Sequence, residues 1–246
     1  MSAVLEQNRR QEIPPQNTED YSSVFYDGVY YPEEREDDMG ETSIHINLLA
    51  DLLKILKLYF DDREDVFLSG NMNLYYEEGN SRRWFAPDLL IAFGVSNIDR
   101  ASYLLWREGV FPQVVFEIAS KRTWQNDVDE KLRLYEELGA EEYYVLDPKF
   151  EFLSAPLLAY RRQGENLIEL KVANERILSP RLGLEIVREG NTFRLFNPNT
   201  NEFLMTLQES ERKRQLDSQM AERKRREDEV EIERLKAEIE RLKAQK

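Results

Sequence analysis

The sequence contains no cysteine and only one histidine, and both scarcities limit the chemistry open to the chain. Without cysteine the chain has no disulfide, no thiolate-bound zinc, no iron–sulfur cluster and no thiol nucleophile. Carboxylates and His45 are therefore the side chains left to hold a metal ion. Because oxygen ligands favour hard cations, a metal site in this chain is expected to take Mg²⁺ or Mn²⁺.

Long hydrophobic runs are also missing. No stretch approaches the roughly 20 apolar residues that span a bilayer, and the polar N-terminus lacks the apolar core of a secretory signal. We therefore expect a soluble, cytoplasmic protein without membrane contact. The net charge of −14 repels nucleic acid at long range, so binding DNA would require a local basic patch or a bound cation.

The chain of 246 residues divides into three regions by composition. Residues 1–40 mix acidic residues, prolines and scattered aromatics without a sustained period, which indicates an extended N-terminal arm. Residues 41–208 have the composition of a globular domain. Residues 209–246 are rich in Arg, Lys and Glu, and predict a charged helical tail. The a and d positions of a short coiled coil in this tail are Ile232, Leu235, Ile239 and Leu242.

The spacing of apolar residues predicts the elements of the central domain. An amphipathic helix is predicted over residues 43–60 and a second helix over 127–138, where Asp127 and Glu130 resemble a capping box. The β-prone runs predict strands over residues 66–69, 72–76, 84–93, 113–119 and 143–146. A strand, a helix and a strand in this order imply that the two strands are parallel neighbours in one sheet. The short alternating segments of residues 151–196 predict hairpin strands that complete a mixed sheet.

Glu117 is conspicuous because it interrupts the nearly continuous apolar run of residues 113–119. Burying this carboxylate would cost several kcal/mol unless it met a cation or hydrogen-bond donors. Asp88 supplies a second carboxylate on the preceding strand. Two such carboxylates can chelate Mg²⁺ beside a phosphodiester, and a nearby lysine would orient or activate the attacking water and stabilise the developing charge.

An ordered series of motifs over roughly residues 41–190 resembles the Uma-two family of restriction endonucleases. The series consists of Pro87-Asp88, Phe116-Glu117-Ile118-Ala119-Ser120 with Thr123, Asp127 with Lys131 and Tyr135, the stretch 139–148, and the closing stretch 179–186. The resemblance implies an α/β (α+β) fold of the PD-(D/E)XK type, with a mixed central sheet flanked by helices. It also implies a divalent cation and DNA cleavage as the activity.

Two departures from the strict PD-(D/E)XK pattern concern the catalytic lysine. The pattern places Lys two residues after the glutamate, but this chain has Ala119 there. In the family this lysine is displaced to the following helix, where Lys131 matches, and a helix that follows a strand begins near the strand's carboxyl end. The second departure is Lys121-Arg122, which replaces the family's usual Pro-Ser. Lys121 therefore competes with Lys131 for the catalytic role, and the sequence leaves this choice open.

Several further residues have both a functional and a structural interpretation. His45 lies in the first predicted helix, where the family often carries a histidine, with Glu41 one turn earlier. Each of the two is either a peripheral metal ligand or an ordinary helix residue. Ser120 either hydrogen-bonds a metal ligand or caps the next loop, and Asp127 either belongs to the site or pairs with Lys131 on the helix surface. Tyr135 is assigned to the core.

Paired basic residues offer a candidate surface for nucleic acid. The pairs are Arg82-Arg83, Lys121-Arg122 and Arg161-Arg162. They predict contacts with the DNA backbone if they lie on one face of the domain. The alternative interpretation is that they are solvated surface charges.

Two hypotheses about function follow from these observations. The first is a Mg²⁺-dependent DNA endonuclease in which Asp88 and Glu117 hold the metal and Lys131 assists the attacking water. The second is a catalytically weak or silent nuclease-fold protein that binds and assembles through its coiled-coil tail. In either case residues 209–246 predict a homodimer or a helical partner. A basic-zipper DNA reader is disfavoured, because Glu alternates with Lys and Arg along the tail.

Overall fold

The computed structural model describes residues 25–26, 28–30 and 43–244. Most of the predicted N-terminal arm, and Glu41, lie outside the described residues. The helices are α1 (Ser43–Tyr59), α2 (Leu105–Glu108), α3 (Trp124–Val128), α4 (Glu130–Leu138) and α5 (Leu207–Lys243). The strands are β1 (Phe25–Tyr26), β2 (Val29–Tyr30), β3 (Val66–Gly70), β4 (Leu74–Tyr75), β5 (Trp84–Phe85), β6 (Leu89–Phe93), β7 (Tyr103–Leu104), β8 (Val114–Ile118), β9 (Glu142–Leu146), β10 (Leu157–Gln163), β11 (Asn166–Glu169), β12 (Arg176–Ser179), β13 (Leu184–Glu189), β14 (Thr192–Asn197) and β15 (Glu202–Phe203).

A six-stranded mixed sheet forms the centre of the domain, in the order β11-β10-β9-β8-β6-β3. The central pair β8 and β9 is parallel, with Phe116 opposite Tyr144, whereas β6 runs antiparallel to β8. All five residues of β8 are buried, as expected for a strand covered on both faces. The predicted mixed α+β sheet with flanking helices and a long C-terminal helix is confirmed. Of the hairpin strands predicted to complete this sheet, β10 and β11 do so, whereas β12–β15 form a separate four-stranded antiparallel sheet.

The connection from β8 to β9 contains two short helices. The prediction of one helix over residues 127–138 was wrong in its start, because α3 begins at Trp124 and the chain bends at Asp129 before α4. Asp127 is therefore not the helix cap; it lies near the end of α3 and is fully buried. The predicted stop at Gly139 is confirmed, since this residue ends α4 with a left-handed φ of 104°.

The run of residues 84–93 was predicted as one strand, and this prediction was wrong. It forms β5 and β6, which belong to different sheets: β5 pairs with β4 in a three-stranded sheet, and β6 lies in the central sheet. Pro87 lies between them and has no amide hydrogen to donate to a continuous ladder. The break places Asp88 immediately before β6, next to the central strand β8.

Each face of the central sheet carries its own apolar layer. On one face α1 packs Leu52 and Leu56 into a cluster that also includes Leu184 and Ile186 of β13. Complete burial of a leucine side chain contributes about 2 kcal/mol, so this face anchors α1 firmly. The opposite layer is aromatic and includes Tyr135 of α4, whose ring meets Tyr143 edge-on at 5.0 Å.

Glu142, at the start of β9, joins the central sheet to the turn between β12 and β13. The carboxylate is almost fully buried. It accepts hydrogen bonds from the Tyr144 hydroxyl at 3.0 Å, from the Arg181 backbone N–H at 3.1 Å, and from the Ser179 hydroxyl. A buried carboxylate with three donors is stable only while all three partners are present.

We predict that Glu142→Ala lowers the free energy of unfolding by roughly 2–4 kcal/mol, because three buried donors lose their acceptor. Chemical denaturation monitored by circular dichroism measures this loss. Glu141→Ala is the matched control, since Glu141 makes a half-exposed ion pair with Arg181 and its removal should cost less than about 1 kcal/mol. Equal losses in the two variants would contradict the structural role assigned to Glu142.

The C-terminal helix α5 belongs to a separate compact unit, residues 205–246. It begins with a capping box: the Glu209 backbone N–H donates to the Thr206 hydroxyl at 3.2 Å, and the Thr206 backbone N–H donates to the Glu209 carboxylate at 2.9 Å. None of the helices in the described part of the chain is both long and apolar enough to cross a membrane.

Candidate active site at the ends of β6 and β8

Asp88 and Glu117 are held side by side because β6 and β8 are antiparallel neighbours. Glu117 is the fourth residue of β8, and Asp88 immediately precedes β6. The Ile118 backbone N–H donates to the Asp88 carboxylate at 2.6 Å, and the Asp88 backbone N–H faces a Glu117 carboxylate oxygen at 3.3 Å. The two predicted carboxylates are thus brought together by the backbone of the sheet itself.

Glu117 is only 1% exposed, and two side chains of α4 compensate for its burial. The ammonium nitrogen of Lys131 lies 2.9 Å from one carboxylate oxygen, and the Tyr135 hydroxyl donates to the other at 2.5 Å. Lys131 and Tyr135 are one helical turn apart, so both point from one face of α4. Both side-chain donors to the buried Glu117 are therefore supplied by a single helix.

Lys131 also contacts a third carboxylate. Its ammonium nitrogen is 3.0 Å from Asp127, which is fully buried near the end of α3. The backbone carbonyl of Asp127 accepts a hydrogen bond from the Tyr143 hydroxyl at 2.8 Å, which ties this residue to β9. Lys131 thus lies between Glu117 and Asp127, and the predicted pairing of Asp127 with Lys131 is a buried contact rather than a surface one.

Burial and neighbouring charges shift the pKa values of the ionisable side chains in this cluster. Burial raises the pKa of Glu117 to about 8, with Lys131 opposing the shift and Asp88 and Asp127 adding to it. Burial also raises the pKa of Asp127, which Lys131 counteracts. For Lys131 burial favours the neutral form, but the three surrounding carboxylates outweigh it and raise its pKa. Lys131 is therefore charged at neutral pH, whereas Glu117 titrates near pH 8.

His45 reaches the same cluster from α1. Its Nε2 atom lies 3.2 Å from the Asp88 carboxylate, and the ring is almost fully buried. The structure thus places His45 against a predicted metal ligand. Glu41, the other peripheral candidate, lies outside the described residues.

Ser120, Lys121 and Arg122 follow β8 directly, at the same end of the strand as Glu117. The Ser120 hydroxyl lies 2.9 Å from the Thr123 hydroxyl at the start of α3. Lys121 is exposed and lines a cavity of about 220 Å³ together with His45 and Ser120. Among the described residues, Lys131 and not Lys121 forms the ion pair with Glu117.

Arg82 and Arg83 lie in the turn between β4 and β5, which belong to a different sheet from Glu117. The Arg83 guanidinium is 3.3 Å from the Glu77 carboxylate and 4.9 Å from the centre of the Tyr76 ring. Arg83 is therefore already engaged by an acidic and an aromatic neighbour. A joint DNA-facing patch of this pair with Lys121 and Arg122 remains a prediction.

The donor chemistry of the cluster fits a divalent cation. Within the described residues, no three His, Cys, Asp or Glu side chains form a group that could hold a metal. However, Mg²⁺ commonly binds proteins through one or two carboxylates and completes its shell with water. In their ionised forms Asp88, Glu117 and Asp127 carry three negative charges, and Lys131 carries one positive charge, which leaves an excess of two negative charges among these four side chains. A divalent cation beside Asp88 and Glu117 would offset that excess.

The structure is a mixed α+β domain with flanking helices and with acidic side chains at adjoining strand ends. Residues 18–193 match the Uma2 family, described as "Putative restriction endonuclease", and the chain belongs to this family. A similar solved structure is "a putative nuclease belonging to DUF820" from Anabaena variabilis ATCC 29413, which is 12% identical with a TM-score of 0.44. That match covers 64% of this chain and 80% of the other. No curated protein matches the chain.

Sequence reasoning missed the contribution of Tyr135, which was assigned to the core. Tyr135 is indeed fully buried and packs among aromatic rings, but its hydroxyl contacts Glu117. The available signal was its spacing: Tyr135 is four residues after Lys131 and so shares its helix face. A buried tyrosine hydroxyl usually has a hydrogen-bond partner, and Glu117 was the acceptor in need of donors.

We predict that Glu117→Gln flattens the pH dependence of stability of the metal-free protein. The folded-state pKa of Glu117, about 8, lies above its ordinary value of 4.5. Between these values the folded state keeps a proton that the unfolded state releases, so this group makes stability fall as pH rises. The slope contributed by one proton is about 1.4 kcal/mol per pH unit.

Denaturation of both proteins between pH 5 and pH 8 measures this difference. The variant should lose less stability across the range than the unaltered chain. Glu137→Gln is the control, because Glu137 is an exposed residue of α4. Identical slopes in the Glu117→Gln variant and the unaltered chain would show that Glu117 is ionised in both states.

Proposed function

We propose that this protein is a Mg²⁺- or Mn²⁺-dependent endonuclease that hydrolyses DNA phosphodiester bonds. The observation that carries the proposal is the buried Lys131–Glu117 contact of 2.9 Å beside Asp88. Membership of a family described as a restriction endonuclease supports a nuclease as the class of activity. The contact supports Lys131 over Lys121 as the lysine displaced from the strict motif.

In this proposal Asp88 and Glu117 are the residues that hold the cation, and His45 positions Asp88. The bound cation would neutralise charge on the scissile phosphate and lower the pKa of the attacking water. Hydrogen bonds from the Ile118 backbone and Tyr135 fix the carboxylates in place. Fixed ligands reduce the reorganisation that binding would otherwise require.

Lys131 acts as a charged donor rather than as a base. Its neighbouring carboxylates raise its pKa, which favours the protonated form that donates hydrogen bonds. A fixed ammonium group can orient the attacking water and stabilise the negative charge that develops at the phosphate. Asp127 is a positioning residue in this scheme, because it holds the ammonium group from the side opposite Glu117.

Lys121 and Arg122 are proposed to contact the DNA backbone near the cleavage point. They follow β8 at the end that carries Glu117, and Lys121 is exposed. Local cations are needed there because the chain as a whole is strongly acidic. Arg82 and Arg83 are proposed as more peripheral contacts on a separate sheet.

We predict that the protein nicks supercoiled plasmid in the presence of Mg²⁺ or Mn²⁺, and that Asp88→Ala and Glu117→Ala each abolish nicking. Both variants remove a proposed metal ligand, so each should also weaken Mn²⁺ binding measured by isothermal titration calorimetry. Circular dichroism checks that the variants remain folded. Absence of cleavage with every divalent metal, or equal cleavage by all three proteins, would reject the nuclease proposal.

We further predict that Lys131→Ala lowers the cleavage rate by roughly 10²–10³-fold while Mn²⁺ binding is retained. The removed group stabilises charge during the reaction and is not a metal ligand, so its loss should affect turnover and not metal affinity. Lys171→Ala is the matched control, since Lys171 is an exposed residue outside the site. A larger loss in Lys121→Ala than in Lys131→Ala would transfer the catalytic role to Lys121.

A further inference from the structure

The tail helix α5 exposes a row of apolar side chains that nothing in its own unit covers. Ile232, Leu235 and Ile239 are 50%, 48% and 50% exposed, respectively. Their spacing of three and four residues places them on one face of the helix. An exposed apolar row on a long charged helix is typical of a surface that pairs with another helix.

Ion pairs across single turns support the helix locally. Arg223 pairs with Glu227 at 2.9 Å and Arg226 with Glu222 at 2.5 Å. Such pairs contribute about 0.2–0.5 kcal/mol each to an isolated helix. They do not use the apolar row, whose side chains stay half-exposed.

We propose that α5 pairs with α5 of a second copy of this chain in a parallel, in-register, two-stranded coiled coil. This inference is independent of the proposed nuclease activity. The first support is the residue type at each core position. Ile232 and Ile239 occupy a positions and Leu235 occupies the d position between them, and β-branched residues at a with Leu at d favour parallel dimers.

The second support is charge complementarity beside this core. In a parallel dimer each g residue faces the e residue five positions later on the partner helix. In the register set by Ile232, the residues Lys224 and Glu231 occupy g positions, and Glu229 and Lys236 occupy e positions. Lys224 would then face the partner's Glu229, and Glu231 would face the partner's Lys236. Both pairs join opposite charges, and each occurs twice in the dimer.

The antiparallel arrangement is less complementary, because only some of its e–e pairs, such as Glu229 with the partner's Lys243, join opposite charges. Antiparallel helices bring e residues next to e residues. In the antiparallel register that stacks Ile239 on the partner's Leu235, the Lys236 side chain would face the partner's Lys236. Like charges at such positions oppose pairing. The same pattern disfavours DNA as the occupant, because Glu229 and Glu231 flank the apolar row.

The affinity of the dimer should be moderate. Upstream of Ile232 the a and d positions carry Arg225 and Asp228, so the apolar core covers only the last part of the helix. A short core buries little apolar surface, and the polar layer costs stability. We therefore expect monomer and dimer to exchange with protein concentration. In this dimer the two nuclease domains are joined to the same end of the coiled coil.

Charge reversal in the full-length protein, followed by sedimentation velocity, tests the partner and the orientation together. The unaltered chain should shift from one chain mass toward two as concentration rises. Glu231→Lys and Lys236→Glu should each remain monomeric, because each creates two like-charge pairs in its homodimer. An equimolar mixture of the two variants should restore the dimer, since every g–e pair then joins opposite charges.

Glu233→Lys is the matched control, because Glu233 lies at the outward b position and its reversal should leave dimerisation unchanged. Circular dichroism confirms that α5 is retained in each variant. A monomer at every concentration, or dimerisation of Glu231→Lys equal to that of the unaltered chain, would overturn the proposal. Failure of the mixture to dimerise when the unaltered chain does so would also overturn it. None of these outcomes depends on DNA cleavage.

Discussion

The burial of Glu117 in the central strand is the constraint on which the rest of the site depends. A carboxylate that is 1% exposed in β8 requires donors, and the fold provides them from two directions. The antiparallel neighbour β6 contributes the Asp88 backbone N–H, and α4 contributes Lys131 and Tyr135. The connection between β8 and β9 therefore supplies the side-chain partners of Glu117 as well as joining two strands of the sheet.

The burial of Glu117 makes this arrangement costly for stability. Burial is the main cause that opposes ionisation of Glu117; Lys131 favours ionisation, and repulsion by Asp88 and Asp127 opposes it further. Buried groups with strongly shifted pKa values are common at functional sites, where stability is given up for reactivity. In our proposal a divalent cation relieves the repulsion, so that metal binding and stability are linked.

Much of the fold could be predicted because its signals are local. The apolar run around Glu117, the glycine stop at Gly139 and the strand–helix–strand order gave the parallel pair β8 and β9. The break at Pro87 and the bend at Asp129 were not predicted, since each depends on which sheet or helix the flanking residues join. The local spacing of apolar residues continues through Pro87 and Asp129, and it carries no information about which elements pack together in the fold.

The candidate site was predictable only in part. Asp88, Glu117 and Lys131 were identified by the family motifs, and the structure brings them into contact. The roles assigned to them stay predictions. The hydroxyl of Tyr135 and the buried position of Asp127 could not be predicted with confidence from residue type, because a core tyrosine and a capping aspartate have the same local patterns.

Anomalous X-ray diffraction from crystals soaked in Mn²⁺ locates the cation without requiring turnover. We expect an anomalous peak between the Asp88 and Glu117 carboxylates, and no peak there in a Glu117→Gln variant. A peak elsewhere on the protein, with the Lys131–Glu117 contact unchanged, would show that the acidic cluster is a structural ion-pair network and not a metal site.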